Sequence, residues 1–284
     1  MGKFDQVLLT VDYDRTLTAP DSTIPQRNLE AIRYFMEEGG LFTVNTGRSV
    51  PMAAAFMDLV PVNAPLLLYN GSGAYDVRQR KLIWSRQIQR DLWQTIGYCK
   101  ETFPDLMVEV QGLDAHYRFW ENPKWDEFYA HNHCAAEFAP WGKDLGPFLK
   151  FTLYLWPESR EVSGLFQATP EEMARMDQVQ QQVTAQLADT CQVFRSGARI
   201  LDIHAKGVSK ARSARLLKEQ TGRKILVCLG DADNDIAMLE EADFAFVPAD
   251  AVLADRFPNL CPCGEGAVAD AIYGKIPEIL ENTP

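Results

Sequence analysis

The chain has 284 residues, 46% of them hydrophobic and 24% charged, enough for one large or two moderate globular domains with a real core. A formal charge of −11, with no dense block of Lys and Arg, excludes a nucleic-acid or anionic-membrane partner held by the overall field. No apolar run approaches the roughly 18 residues of a membrane span, and Asp12 interrupts the first apolar stretch too soon for a secretory leader, so a soluble cytoplasmic protein is expected.

In chain order, "QVLLTV" reads as a buried strand ending at Asp12. "IPQRNLEAIRYFMEEGG" follows as a helix with Pro25 in its first turn, Leu29, Ile32, Phe35 and Met36 on one face, and Gly39-Gly40 as its stop. "LFTVNTGR" is a second strand running into a glycine turn, and "PLLLYNGSGA" a third ending at Asn70-Gly71. Apolar strands separated by helices argue a doubly wound parallel sheet. From about 75 to 200 the texture changes: "KLIWSRQI", "MVEVQG", "AHYRFW", "FLKFTLYLW", "CQVFRSG" and "RILDIHA" alternate like half-exposed strands, with helical patterns at "RDLWQTIGYCKETF" and "PEEMARMDQVQQQVTAQLA". The first texture then returns with the helix "GVSKARSARLLKEQTG", the buried strand "KILVCLG" and the helix start "DNDIAMLEEA". The economical organisation is an α/β core of residues 1–78 and 204–284, interrupted by an α+β domain of residues 79–203, with junctions near 75–81 and 200–207.

Ligands of an open parallel sheet bind beyond the carboxyl ends of its strands. The polar residues of the core segments stand at such ends: Asp12 and Asp14 after the first strand, Thr46-Gly47-Arg48 after the second, Asn70-Gly71 after the third, and Asp231 with Asn234-Asp235 after "KILVCLG". Lys206 and Lys210 lie where the chain re-enters the core. Asp12, Asp14 and Asp231 would form a strongly acidic pocket in which like charges force at least one proton to stay unless a cation intervenes. A hard divalent ion, Mg²⁺ bound jointly with substrate phosphate, resolves that conflict. The Thr46 hydroxyl, the Lys210 ammonium and nearby backbone amides suit phosphoryl oxygens.

With "DYDRTLT", "TGR", "NG", "GVSK" and "GDADND" standing in this order, the chain resembles the haloacid dehalogenase superfamily of phosphohydrolases. Within it, the resemblance is to the Cof-like branch, whose large α/β cap is inserted between the second and third motifs. It implies a Rossmann-like core with an inserted α+β cap and a Mg²⁺-dependent phosphatase acting on a small phosphorylated metabolite, a sugar phosphate first. On the matching positions, Asp12 would attack phosphorus and bind the metal, and Asp14 would exchange the proton with the leaving group and bind the metal through its carbonyl. Asp231 would complete the metal ligands, and Asp235 would support the metal site or Lys210. Thr46, Lys210 and Asn234 would hold the phosphoryl oxygens, with Gly47, Arg48 and Tyr13 completing the substrate contacts. Lys210 matches the third motif better than Lys206, because "GVSK" opens a helix. One position departs from the pattern: Arg15 stands where the family usually has glycine. The enzyme would work as a monomer or small homo-oligomer.

Two other readings use similar parts, namely a phosphohexose mutase and a non-catalytic receiver-like phosphate-binding module. In the latter the phospho-accepting Asp follows a later strand and the domain is far shorter. In the inserted domain His116, Tyr117, Arg118, Trp120, Lys150, Arg195 and Arg199 are candidates to meet a sugar or a second phosphate. Packing and solvated charge account equally well for most of them. The six cysteines lack paired spacing and read as free thiols; "HNHC" at 131–134 and "CPC" at 261–263 lack the partners of a zinc site.

Overall fold

The computed structural model describes residues 2–120, 129, 135–155 and 168–282. Its strands are β1 Val7–Val11, β2 Leu41–Val44, β3 Leu66–Leu68, β4 Gly73–Asp76, β5 Lys81–Ser85, β6 Leu106–Gly112, β7 His116–Arg118, β8 Ala136–Phe138, β9 Phe148–Leu155, β10 Cys191–Gly197, β11 Ile200–Ala205, β12 Ile225–Leu229, β13 Phe244–Pro248 and β14 Asn259–Leu260. The α-helices are α1 Gln26–Glu37, α2 Val50–Met57, α3 Leu92–Thr102, α4 Pro170–Leu187, α5 Lys210–Thr221, α6 Ile236–Glu240, α7 Ala267–Asp270 and α8 Ile276–Asn282. The described chain divides into two compact units: one of Met1–Gly47, Phe56–Trp84 and Ser209–Pro284, the other of Arg48–Ala55 and Ser85–Val208.

The first unit is built on a parallel sheet in the order β14-β13-β12-β1-β2. Its central strands are apolar on both faces because helices cover both: Val7, Leu8, Leu9, Val11, Leu226, Val227 and Leu229 are all buried. Leu8 and Cys228 pack with Ala211, Ala214 and Leu217 of α5 and with Met238 and Leu239 of α6. Asn28 of α1 is buried among these elements, donating to Leu17 O at 3.0 Å and accepting from Ala269 N at 3.0 Å, so one side chain ties the turn after β1 to α7. From β1 the chain moves to β2 on one side, while β12, β13 and β14 extend the other, which makes the carboxyl end of β1 the topological switch point.

The third apolar run behaves differently from the expected further sheet strand. It meets β2 by one parallel bridge, Asn45 to Leu67, and then folds back as an antiparallel pair with β4, which β5 extends. Three successive left-handed residues, Tyr69 (φ 54°), Asn70 (φ 52°) and Gly71 (φ 90°), make the reversal. At Gly71 a Cβ would stand 2.4 Å from Ser209 O, so only glycine fits. "DNDIAMLEEA" likewise forms a tight 3₁₀ turn at Asp233–Asp235 before the short α6.

The second unit is α+β, with a mostly antiparallel sheet in the order β10-β11-β9-β6-β7-β8. Strand alternation sorts its residues. Val108, Val110, Phe151, Leu153, Leu201 and Ile203 form a core with Ile96, Cys99, Met176, Val179 and Val183 of α3 and α4. The intervening residues, among them Glu109, Gln111, Lys150, Thr152, Asp202 and His204, are polar and buried. Together the two units are an α/β parallel-sheet core with an inserted α+β unit. The "HNHC" segment lies outside the described residues, and no described helix is long and apolar enough to cross a membrane.

Candidate active site

β1 delivers Asp12 to the switch point, where its backbone N–H still bonds Leu229 O at 2.9 Å and so keeps it in register with β12. α5 delivers Lys210: Ser209 caps that helix by accepting from Arg212 N, and the Asn45 side chain donates to Lys210 O at 2.9 Å. The Lys210 ammonium is buried between two carboxylates, 2.6 Å from Asp12 Oδ1 and 2.7 Å from Asp235 Oδ1. The other Asp235 oxygen accepts from the amides of Asp231 (3.1 Å) and Ala232 (3.3 Å), which shapes the turn after β12. Gly230 makes room for this: a Cβ there would stand 2.5 Å from both Cβ and Cγ of Asp235. Carboxylate oxygens of Asp12, Asp231 and Asp235 all lie within 4.8 Å of one another.

Burial is the main force on these acids. It pushes Asp12 up to about 7 against the pull of Lys210, with Asp235 and Asp14 adding to the rise. It pushes Asp231 up to about 8, with Asp12 and Asp235 adding, while Lys210 and Arg15 oppose. Burial works against the Lys210 charge as well, but Asp12 and Asp235 outweigh it and hold the ammonium above the usual lysine range. Two of the three buried carboxylates thus hold one buried ammonium. An all-oxygen, net anionic donor set that holds protons near neutrality is what a hard dication would displace those protons from, so the residues fit Mg²⁺.

The remaining predicted residues distribute around this cluster. Asp14 is half-buried next to it but is not one of the close carboxylate triplet among the described residues. Tyr13 is buried and stacks on Phe56, ring centroids 4.1 Å apart. Thr46 is buried; its N–H donates to Leu67 O and its carbonyl accepts from Asn70 N, both at 2.9 Å. A Cβ on Gly47 would touch Asn70 Oδ1 at 3.0 Å, and Asn234 donates to that same oxygen at 3.4 Å. Arg48 begins the segment that clusters with the second unit. Lys206 is exposed and bonds Ala188 O at 2.9 Å, so Lys210 alone of the two lysines enters the carboxylate cluster. Asn45 was not among the expected site residues; its place immediately before Thr46 is the only signal that could have pointed to it.

In the second unit three of the candidate cations, Lys150, Arg195 and Arg199, are paired with carboxylates. Lys150 pairs with Asp202 at 3.3 Å, Arg195 with Asp177, and Arg199 with Glu172 at 2.5 Å. Thr152 and Ser196 also donate to Asp202, at 2.8 and 2.6 Å. Burial opposes the charge of Asp202, but Lys150 and these hydroxyls outweigh it and keep the carboxyl below its usual range. His204 is pushed down to about 3 by burial and stays neutral. His116 Nδ1 lies 3.4 Å from Glu109 Oε1 and its Nε2 2.6 Å from Ser49 Oγ. Cys263 sits against Asp250, Sγ to Oδ2 3.2 Å, and the five described cysteines are free thiols.

The model of the haloacid dehalogenase-like hydrolases matches residues 9–252. The chain belongs to that family. Among curated relatives, it is 20% identical to a Bacillus subtilis 5-amino-6-(5-phospho-D-ribitylamino)uracil phosphatase, YitU, over 83% of each chain. It is 24% identical to the Escherichia coli phosphatase of the same name, YbjI, over 84% of this chain and 83% of that one. Among solved structures, a haloacid dehalogenase-like hydrolase from Bacteroides thetaiotaomicron superposes with a TM-score of 0.78 at 19% identity, covering 95% of this chain and 99% of the other. A subclass IIB sugar phosphatase of the superfamily, BT4131, superposes with a TM-score of 0.76 at 18% identity, covering 95% and 99%. This hydrolase is a phosphatase by class.

Proposed function

We propose that this hydrolase is a Mg²⁺-dependent phosphatase of a small, hydroxyl-rich phosphomonoester, working through a phosphorylated Asp12. The observation that supports this best is the place of Asp12: at the switch point of the sheet, 2.6 Å from a buried ammonium and within 4.8 Å of two further carboxylates. Asp12 and Asp231 would hold the metal, which supplies charge neutralisation for the phosphoryl group. An Asp12 oxygen attacks phosphorus and the bond to the leaving oxygen breaks, while Asp14 gives that oxygen its proton. Asp14 then takes a proton from the water that attacks the aspartyl-phosphate, and phosphate leaves. Lys210, fixed by Asp235, and Thr46 oppose the charge on the transferring group.

The substrate reading draws on two further points. The named relatives act on a phosphorylated ribityl chain, and BT4131 is named a sugar phosphatase. Lys150, Arg195 and Arg199 are neutralised by Asp202, Asp177 and Glu172, which favours a leaving group without a second phosphate. The test is phosphate release by the purified protein from a panel of phosphorylated sugars, polyols, nucleotides and bisphosphates, with and without a chelator. Asp12→Asn should release no phosphate while its circular dichroism stays unchanged; turnover undiminished in that variant sinks the mechanism. Isomerisation of a hexose phosphate without net phosphate release would mark a mutase instead.

A further inference from the structure

Arg15 has a backbone that arginine enters only at a cost. Its φ of 58° and ψ of 12° lie in the left-handed region, which glycine occupies freely. The conformation is held from several sides: Arg15 N donates to Thr18 Oγ1 at 3.1 Å, Leu17 N to Asp12 O at 3.2 Å and Thr18 N to Tyr13 O at 3.0 Å. A strained residue held this firmly beside a site is a reason to ask what its side chain does. The guanidinium turns to the acidic cluster, with Nε 4.0 Å from Asp231 Oδ2, and its side chain is 50% exposed.

The two cations of the cluster are therefore unequal. Lys210 is buried, shared by Asp12 and Asp235, and fixed by both. Arg15 meets Asp231 at 4.0 Å with a side chain that stays half-exposed. We propose that Arg15 is a displaceable counter-cation of the metal-binding carboxylates, whose guanidinium, 4.0 Å from Asp231 Oδ2, repels an incoming dication and thereby lowers the affinity of the site for Mg²⁺. The inference rests on reading Asp12 and Asp231 as Mg²⁺ ligands. A single charge beside an incoming double charge repels it, and half-exposure screens that repulsion toward its value in water. Removing the guanidinium should then tighten Mg²⁺ binding about three- to tenfold.

The experiment is calorimetric titration of MgCl₂ into the full-length protein, its Arg15→Gln and Arg15→Lys variants, and Asp231→Asn as the control for the site. Arg15→Gln should bind Mg²⁺ about three- to tenfold more tightly, Arg15→Lys should stay within about twofold of the parent, and the difference should shrink as NaCl is raised. An unchanged or weaker affinity in Arg15→Gln, with the parent binding normally, overturns the inference alone. Absence of Mg²⁺ binding by the parent, or binding unaffected by Asp231→Asn, overturns the metal reading and the inference with it.

Discussion

Replacing Lys210 by Met removes the one buried cation between Asp12 and Asp235 and leaves the shape of the side chain nearly intact. At the observed separations of 2.6 and 2.7 Å, each carboxylate loses an attraction of about 6 kcal/mol at an effective permittivity of about 20. Desolvation of the ammonium offsets much of that, and breaking a buried pair by deleting one partner costs about 3–5 kcal/mol net. The loss must depend on pH. Without Lys210 the acids can relax by taking up protons, and Asp12 sits at about 7 even with Lys210 present. Lys210→Met should therefore be strongly destabilised in urea at pH 8.5 and much less so at pH 5.5. Phosphate release at pH 7 should fall by about 10²–10³, because a charge donor to the transferring group is gone and a protonated Asp12 cannot attack. Equal destabilisation at both pH values, or turnover within threefold of the parent, refutes the electrostatic account of this cluster.

In the metal-free protein Asp12 and Asp231 have carboxyls raised to about 7 and about 8 above the ordinary 3.8. A raised acid contributes stability that is complete below the unfolded value and is lost as pH climbs through the folded one, so thermal unfolding should move to lower temperature between pH 4 and 8. Mg²⁺ should stabilise more at pH 8 than at pH 5.5; a metal effect independent of pH counts against these carboxyls as ligands. Gly230→Ala puts a Cβ 2.5 Å from Asp235 and should cost about 1–3 kcal/mol in urea unfolding, with at least a tenfold loss of turnover as Asp235 leaves Lys210. Lys150→Met should destabilise the second unit by about 3–5 kcal/mol, since it strands Asp202. Hydrogen exchange localised to β9 and β11 would show it, and unchanged protection there would count against the pair.

What could be read from the sequence follows from how parallel sheets are built. Central strands buried on both faces are written as apolar runs, so a polar residue just past such a run marks the rim, and Asp12, Thr46 and Asp231 stand out for that reason. The helix start at Lys210 was legible too, through the Ser209 cap and the closing Gly222. The hairpin after β3 was not. It depends on left-handed Tyr69 and Asn70, residues whose type does not announce that backbone, and the space that forces Gly71 belongs to Ser209, far along the chain. The cations of the inserted unit were open for a related reason. Lys150 meets Asp202 across 52 residues and Arg199 meets Glu172 across 27, and no local pattern records which charges neutralise each other. A buried cation beside a carboxylate has its demand for a counter-charge met, so it contributes little selection for an anionic ligand.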